Sequence, residues 1–114
     1  KLDTSPVDYL KEKYATIKDL FGIEKTISIN DFRAIAAAIK KTEKFEHYEE
    51  LGKLARKEYP ESMISAYYGG QYYDFIGNTK KALQSYQSGL LLEESEFISK
   101  DMLLDLIYDI QDQN

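Results

Sequence analysis

The residues best equipped for chemistry lie in EKFEHYEE, residues 43–50, where the only histidine of the chain stands among carboxylates. A histidine beside a carboxylate is the pairing that general acid–base catalysis uses, and His47 has Glu43 four residues before it and Glu50 three after it, both within reach on a helix. Glu49 and Glu50 are adjacent and so point to different faces, which makes them a poor acid–base pair. His47 therefore reads as a surface residue paired with Glu43 or Glu50. A second acidic group, Asp101, Asp105, Asp109 and Asp112, recurs at near-helical spacing. Such a row steps about 6 Å at a time along an open convex face and lacks the wrapped oxygen cage that calcium takes, so it reads as a solvated surface. The motifs G-x-S-x-G, H-E-x-x-H, G-x-x-x-x-G-K and G-x-G-x-x-G do not occur, and the absence of cysteine excludes disulfides, thiol catalysis and cysteine metal sites. No catalytic, metal or cofactor-binding residue is assigned, and the segment reads as non-enzymatic.

The elements that carry these residues fit one domain. A chain of 114 residues buries about two-thirds of its unfolded surface on folding. No apolar run approaches the length of about 18 residues or more that a membrane span needs. Net charge is −5 and uneven: residues 1–60 carry 12 Lys and Arg against 11 Asp and Glu, and residues 61–114 carry 3 against 9. Nucleic-acid binding rests on a basic stripe that neutralises phosphates, and the acidic half has none, which argues against a nucleic-acid partner. The chain starts at Lys1 with neither an initiator Met nor a signal-like stretch, so we expect a piece of a longer protein.

Capping signals divide the chain. Asp3, Thr4 and Ser5 precede Pro6 and predict a helix start, after which Leu10, Tyr14, Ile17 and Phe21 form an inward stripe that ends at Gly22. Residues 23–29 read as an extended connector laid over the next helix. Ser28 or Asn30 caps a helix from about Asp31 to Thr42. Phe45 to Tyr59 forms the next, with Tyr48, Leu51, Ala55 and Tyr59 inward and Pro60 closing it. Residues 61–94 hold two further amphipathic segments around Gly77, Asn78 and Thr79, a helix stop followed by a new cap. Ser95 or Ser99 caps a final helix to about Gln111, with Met102, Leu103, Leu106, Ile107 and Ile110 on its apolar side. The prediction is an all-α protein of six helices: a packing helix and connector over 1–27, two hairpins over 28–94 and a capping helix over 95–114.

Gly69 and Gly70 sit mid-helix, where each costs about 1 kcal/mol relative to Ala, so the reading is that a second helix approaches closely there. Gly70, Tyr73, Gly77, Ala82, Tyr86 and Gly89 follow in register the small and aromatic pattern of a tetratricopeptide repeat, which this segment resembles. Ala66, Gly69 and Glu94 depart from it. Stepping back 34 residues lands on Phe32, Ile35, Ala36, Ile39, Ala55 and Pro60, which fit the same pattern; one pair is inverted, with Tyr48 opposite Ala82 and Gly52 opposite Tyr86. The resemblance implies a right-handed stack whose concave face is lined by Asn30, Arg33, Ala37, Lys40 and Lys41 from the first repeat. Ile64, Tyr67, Gln71, Asp74 and Phe75 line it from the second. The family's clamp for a peptide carboxylate needs an Asn where this chain has Ala37, so that specificity is not carried over. The rival reading of the aromatic cluster is core packing.

Residues 28–94, with a helix ending in YPES and the run GNTKKALQSYQSGL, also resemble the tail that follows the catalytic domain in bacterial α/β-hydrolases of the esterase D and enterochelin-esterase type. That resemblance implies an accessory interaction or self-association module, with no catalytic residue of its own. Its partner is then a protein, a peptide, the catalytic domain of its own chain, or a second copy in a homodimer. The alternatives are a free-standing adaptor that takes a peptide in the groove and a helical domain that binds a small ligand under the tyrosines.

Overall fold

Serine hydroxyls start most of the helices in the computed structural model, which describes residues 5–112. Ser5 accepts from the Val7 amide at 3.1 Å and opens α1 (Pro6–Phe21), with Pro6 at its first position and Gly22 in a left-handed cap at φ 66° behind it. The other members of the proposed starting cluster, Asp3 and Thr4, lie outside the described residues. Ser28, not Asn30, caps α2 (Ile29–Thr42) by accepting from Asp31, which starts the helix two residues earlier than the sequence suggests. No side chain caps α3 (His47–Glu58), and Phe45 precedes it. Ser62 opens α4 (Met63–Phe75), Asn78 opens α5 (Thr79–Gly89) and Ser99 accepts from Met102 at the start of α6 (Lys100–Asp112).

The fold is all-α, as predicted, and built of helical hairpins. α2 pairs with α3 and α4 with α5; α3 packs on α4, α6 on α5, and α1 lies against both α2 and α3. The described residues contain no named strand. Loops 61–63 and 93 meet in a short parallel bridge, in which Met63 donates to the Glu93 carbonyl at 2.7 Å and Glu93 donates to that of Glu61 at 2.8 Å. This bridge explains a correction. α5 stops at Gly89 although the repeat pattern runs on to Glu94, because the backbone of Glu93 is used between the loops and not along a helix.

Aromatic rings hold the hairpins together. Phe45 stacks on Phe75 at 4.1 Å between centroids, Tyr48 meets both Phe75 and Tyr68, and Tyr68 stacks on Phe32, which meets Tyr59 edge-on. Such pairs add about 0.5–1.5 kcal/mol each beyond the area they bury. Of the other residues assigned to repeat packing, Ile39, Ala55, Ala82 and Gly89 are buried, while Ala36 and Tyr73 are half-buried against the core.

The two consecutive glycines of α4 have different reasons. A Cβ on Gly70 would lie 2.3 Å from Cε1 of Tyr86, so the phenol ring occupies the place of a side chain. A Cβ on Gly69 would meet nothing within 4 Å. The close approach to the α4 backbone there comes from Gly52, whose Cβ would lie 3.1 Å from the Gly69 nitrogen. The expectation that both α4 glycines make room for a helix therefore holds for Gly70 alone. The inverted pair has a matching account. The Tyr48 hydroxyl donates to the carbonyl of Ala36 at 3.2 Å, and Ala36 is the repeat counterpart of Gly70, which lies under Tyr86. Both tyrosines cover the same small-residue position from different turns, and that shift leaves room for glycine at 52.

α1 departs from prediction. Its stripe packs through Val7 and Leu10, with Tyr14 and Ile17 half-buried, but Phe21 is 68 % exposed and Leu20 71 %. Tyr14 is the pin: its hydroxyl donates to Asp31 at 2.7 Å and accepts from the Ser28 amide at 3.1 Å, which joins α1 to the start of α2. The connector is irregular, as expected, but it is fastened to the end of α3. There Glu58 accepts from the Ile27 amide and Tyr59 donates to the Ile27 carbonyl.

Two outcomes follow for stability. Gly69→Ala fills open space and gains helix propensity, so it raises stability by about 0.5–1 kcal/mol. Gly70→Ala and Gly52→Phe collide with Tyr86 and with the α4 backbone and lower it by about 1–3 kcal/mol. Thermal melts of the three variants read the difference, and equal effects of the two Ala substitutions would refute the assignment. Separately, the Tyr14 hydrogen bond, and after it Lys13, holds the Asp31 carboxyl below its ordinary 3.8. A depressed carboxyl contributes stability at neutral pH that is lost as pH falls below about 4. Tyr14→Phe removes that contribution and should flatten the acid side of a melting profile between neutral pH and pH 3.

Candidate functional site

α2 devotes Phe32, Ile35 and Ile39 to the core, which leaves Asn30, Arg33, Ala37, Lys40 and Lys41 on its exposed face. All five are exposed. Lys40 and Lys41 lie in the last turn, where the helix dipole favours cations. Arg33 reaches out and places its guanidinium 3.7 Å from the centre of the Phe97 ring, in the connector between α5 and α6. That cation–π contact ties the first hairpin to the end of the second.

The five α4 residues assigned to the groove behave differently. Ile64 is fully buried, which corrects its assignment: its side chain belongs to the core and meets no partner. Phe75 lies against Phe45 and Tyr48, so it is packing first and surface second. Tyr67 is half-buried, edge-on to Tyr68 at 5.2 Å. Gln71 donates to the Tyr86 hydroxyl at 2.9 Å, and that hydroxyl donates to Asp74 at 3.2 Å. The phenol of α5 thus crosses α4 at Gly70 and emerges among the polar residues of the candidate face. What remains available to a partner is the α2 row together with Tyr67, Gln71 and the exposed Asp74.

This face offers hydrogen-bonding and charged groups on rigid helices, with neutral phenols between them. Burial pushes the Tyr48 hydroxyl up to about 12, and burial likewise raises those of Tyr67, Tyr68 and Tyr86, the last with the added charge of Asp74. Protonated at neutral pH, the Tyr48 hydroxyl donates to the Ala36 carbonyl and that of Tyr86 to Asp74. His47 is half-buried, not fully exposed, and its Nδ1 stands 3.3 Å from Glu50, the later of its two candidate partners. Among the described residues no group of three or more Asp, Glu or His side chains is placed to hold a metal ion, and no helix is long and apolar enough to cross a membrane.

A concavity elsewhere on the molecule escaped the sequence reading. α1, the 23–28 connector and α3 enclose a cleft of about 370 Å³ over Ile27 and Leu54, edged by lysines. Lys11, Lys18 and Lys25 recur every seven residues and Lys53 and Lys57 are four apart, a spacing visible in the sequence. Only the packing of α1 across α3 brings the two sets to one place.

Neither protein-family models nor curated proteins yield a match to this chain. Among solved structures it is similar to an uncharacterised protein from Capnocytophaga ochracea DSM 7271, with 30 % sequence identity and a TM-score of 0.88 over 96 % of the chain. The chain spans about a third of the length of that protein, 31 %.

The raised phenols carry a pH prediction. A phenol whose folded value lies above the unfolded value of 10 favours the native state fully below pH 10, and that advantage is lost as pH climbs toward 12. Melting temperature should therefore fall across this window, and Tyr48→Phe should reduce the fall. An unchanged slope in the variant would show that Tyr48 ionises without regard to folding.

Proposed function

We propose that this chain is an accessory helical interaction module of a longer protein, built on tetratricopeptide-like hairpins and without catalysis of its own. The observation that carries the reading is the match to nearly the whole chain within a solved protein about three times as long. Recurrence of the fold as about a third of a larger polypeptide supports a module that serves such a polypeptide by positioning or recruiting. The exposed row of Arg33, Lys40 and Lys41 beside Tyr67 and Asp74 supplies the mixture of charge and aromatic surface that partner recognition uses. The resemblance of residues 28–94 to the tail of esterase D and enterochelin-esterase-type proteins supports a serine hydrolase as the parent. Adaptor function, with a peptide on the same face, is the second reading, and the water-exposed α2 row favours it.

The test is to recover the native protein with an antibody to this domain and treat it with a fluorophosphonate probe. A labelled polypeptide much larger than these 114 residues is the expected result. A large but unlabelled parent would remove the hydrolase and keep the accessory module, and a parent no larger than this chain would leave the adaptor.

A further inference from the structure

We propose that the cleft between α1 and α3 binds an acidic, partly apolar peptide segment, at a site separate from the α2–α4 face. Its floor is apolar, with Ile27 and Leu54 buried, and an adjoining hollow of about 220 Å³ that shares Lys11, Leu54 and Lys57 extends it along α3 to Lys53. Together these volumes fall within the range of ligand sites, about 300–1,000 Å³.

The rim carries a surplus of positive charge. Among the described residues, Lys11, Lys25, Lys53 and Lys57 have no carboxylate within ion-pair distance. Five lysines line the two hollows, Lys11, Lys18, Lys25, Lys53 and Lys57, against three glutamates: Glu24, which pairs with Lys18 at 3.6 Å, and Glu58 and Glu50, which accept from the Ile27 amide at 3.0 Å and the Ser5 hydroxyl at 2.8 Å. A protein of net charge −5 thus carries a local excess of two positive charges around this trough. Apolar side chains of a peptide fit the floor while its carboxylates meet the rim.

Other anions fit less well. Lysines bind free phosphate too, but a phosphate would leave the apolar floor of Ile27 and Leu54 unused. A nucleic acid would have to approach a chain whose second half carries three basic residues against nine acidic ones.

The experiment is fluorescence anisotropy with a short labelled peptide of alternating Glu and Leu, run at low and at high salt. Binding to the protein at low salt, weakened about tenfold in Lys25→Glu/Lys57→Glu, is the expected result, in line with the loss of two screened surface charge contacts. Lys25→Ser/Lys57→Ser should weaken binding less, and thermal melts confirm that both variants fold. Lys40→Glu/Lys41→Glu, on α2, should leave binding unchanged. Loss of binding in the α2 variant alone would move the peptide to the face of the proposed function and overturn the cleft, whereas loss in the cleft variant alone leaves that function to its own test. Failure of the peptide to bind, or equal competition by inorganic phosphate at matched charge, would also overturn it. So would a salt-sensitive dimer abolished by the cleft variant with no peptide bound, since the occupant would then be the acidic α6 of a second copy.

Discussion

Helix α4 is the element on which the others converge, and its closest contacts depend on side chains that are missing. At Gly70 the ring of Tyr86 lies where a Cβ would stand, 2.3 Å from it, and at Gly69 the α4 backbone is met by Gly52 of α3. Dispersion falls steeply with separation, so drawing α3 and α5 this close brings many weak attractions into range together. At the far end of α5, Gly89 repeats the device: a Cβ there would lie 2.8 Å from Ala66 of α4 and from Leu103 of α6. The loss of helix propensity at Gly52, Gly70 and Gly89 is thus offset by contacts that only a bare backbone permits.

Because α4 is clasped from both sides, the residues on its outer side are positioned by the core and not by one another. The Tyr86 hydroxyl links the two levels, since it belongs to a buried ring and still holds Gln71 and Asp74 at the surface. Arg33 over Phe97 and the bridge between Ser62 and Glu93 then fasten the outer ends of the hairpins. A recognition surface borne on helices clamped in this way is preorganised, which limits the ordering cost that binding otherwise carries.

α1 stands outside this arrangement. It is pinned at its start by Ser5 to Glu50 and at its middle by Tyr14 to Asp31, while its last turn projects with Leu20 and Phe21 uncovered. The departure of that last turn from the body leaves the lysine-edged cleft open beneath it.

Helix identity was legible in the sequence because it depends on local chemistry. Ser5 with Pro6, Ser28, Asn78 and Gly22 act within one turn of their own positions, and the period of Leu10, Phe32 or Leu103 announces which face turns inward. The small-residue positions were legible as well, since a mid-helix glycine needs a reason. Of the proposed face, the α2 row was readable because it stays exposed, whereas Phe75 was not, because its packing is decided by Tyr48 of α3 and by Phe45. Tertiary structure alone decided which of Gly69 and Gly70 carries a neighbour, where α5 ends and how much of α1 is covered. It alone gathered Lys11 and Lys25 with Lys53 and Lys57. Each of these depends on where a distant backbone lies, and periodicity within a helix holds no information about the distance to another.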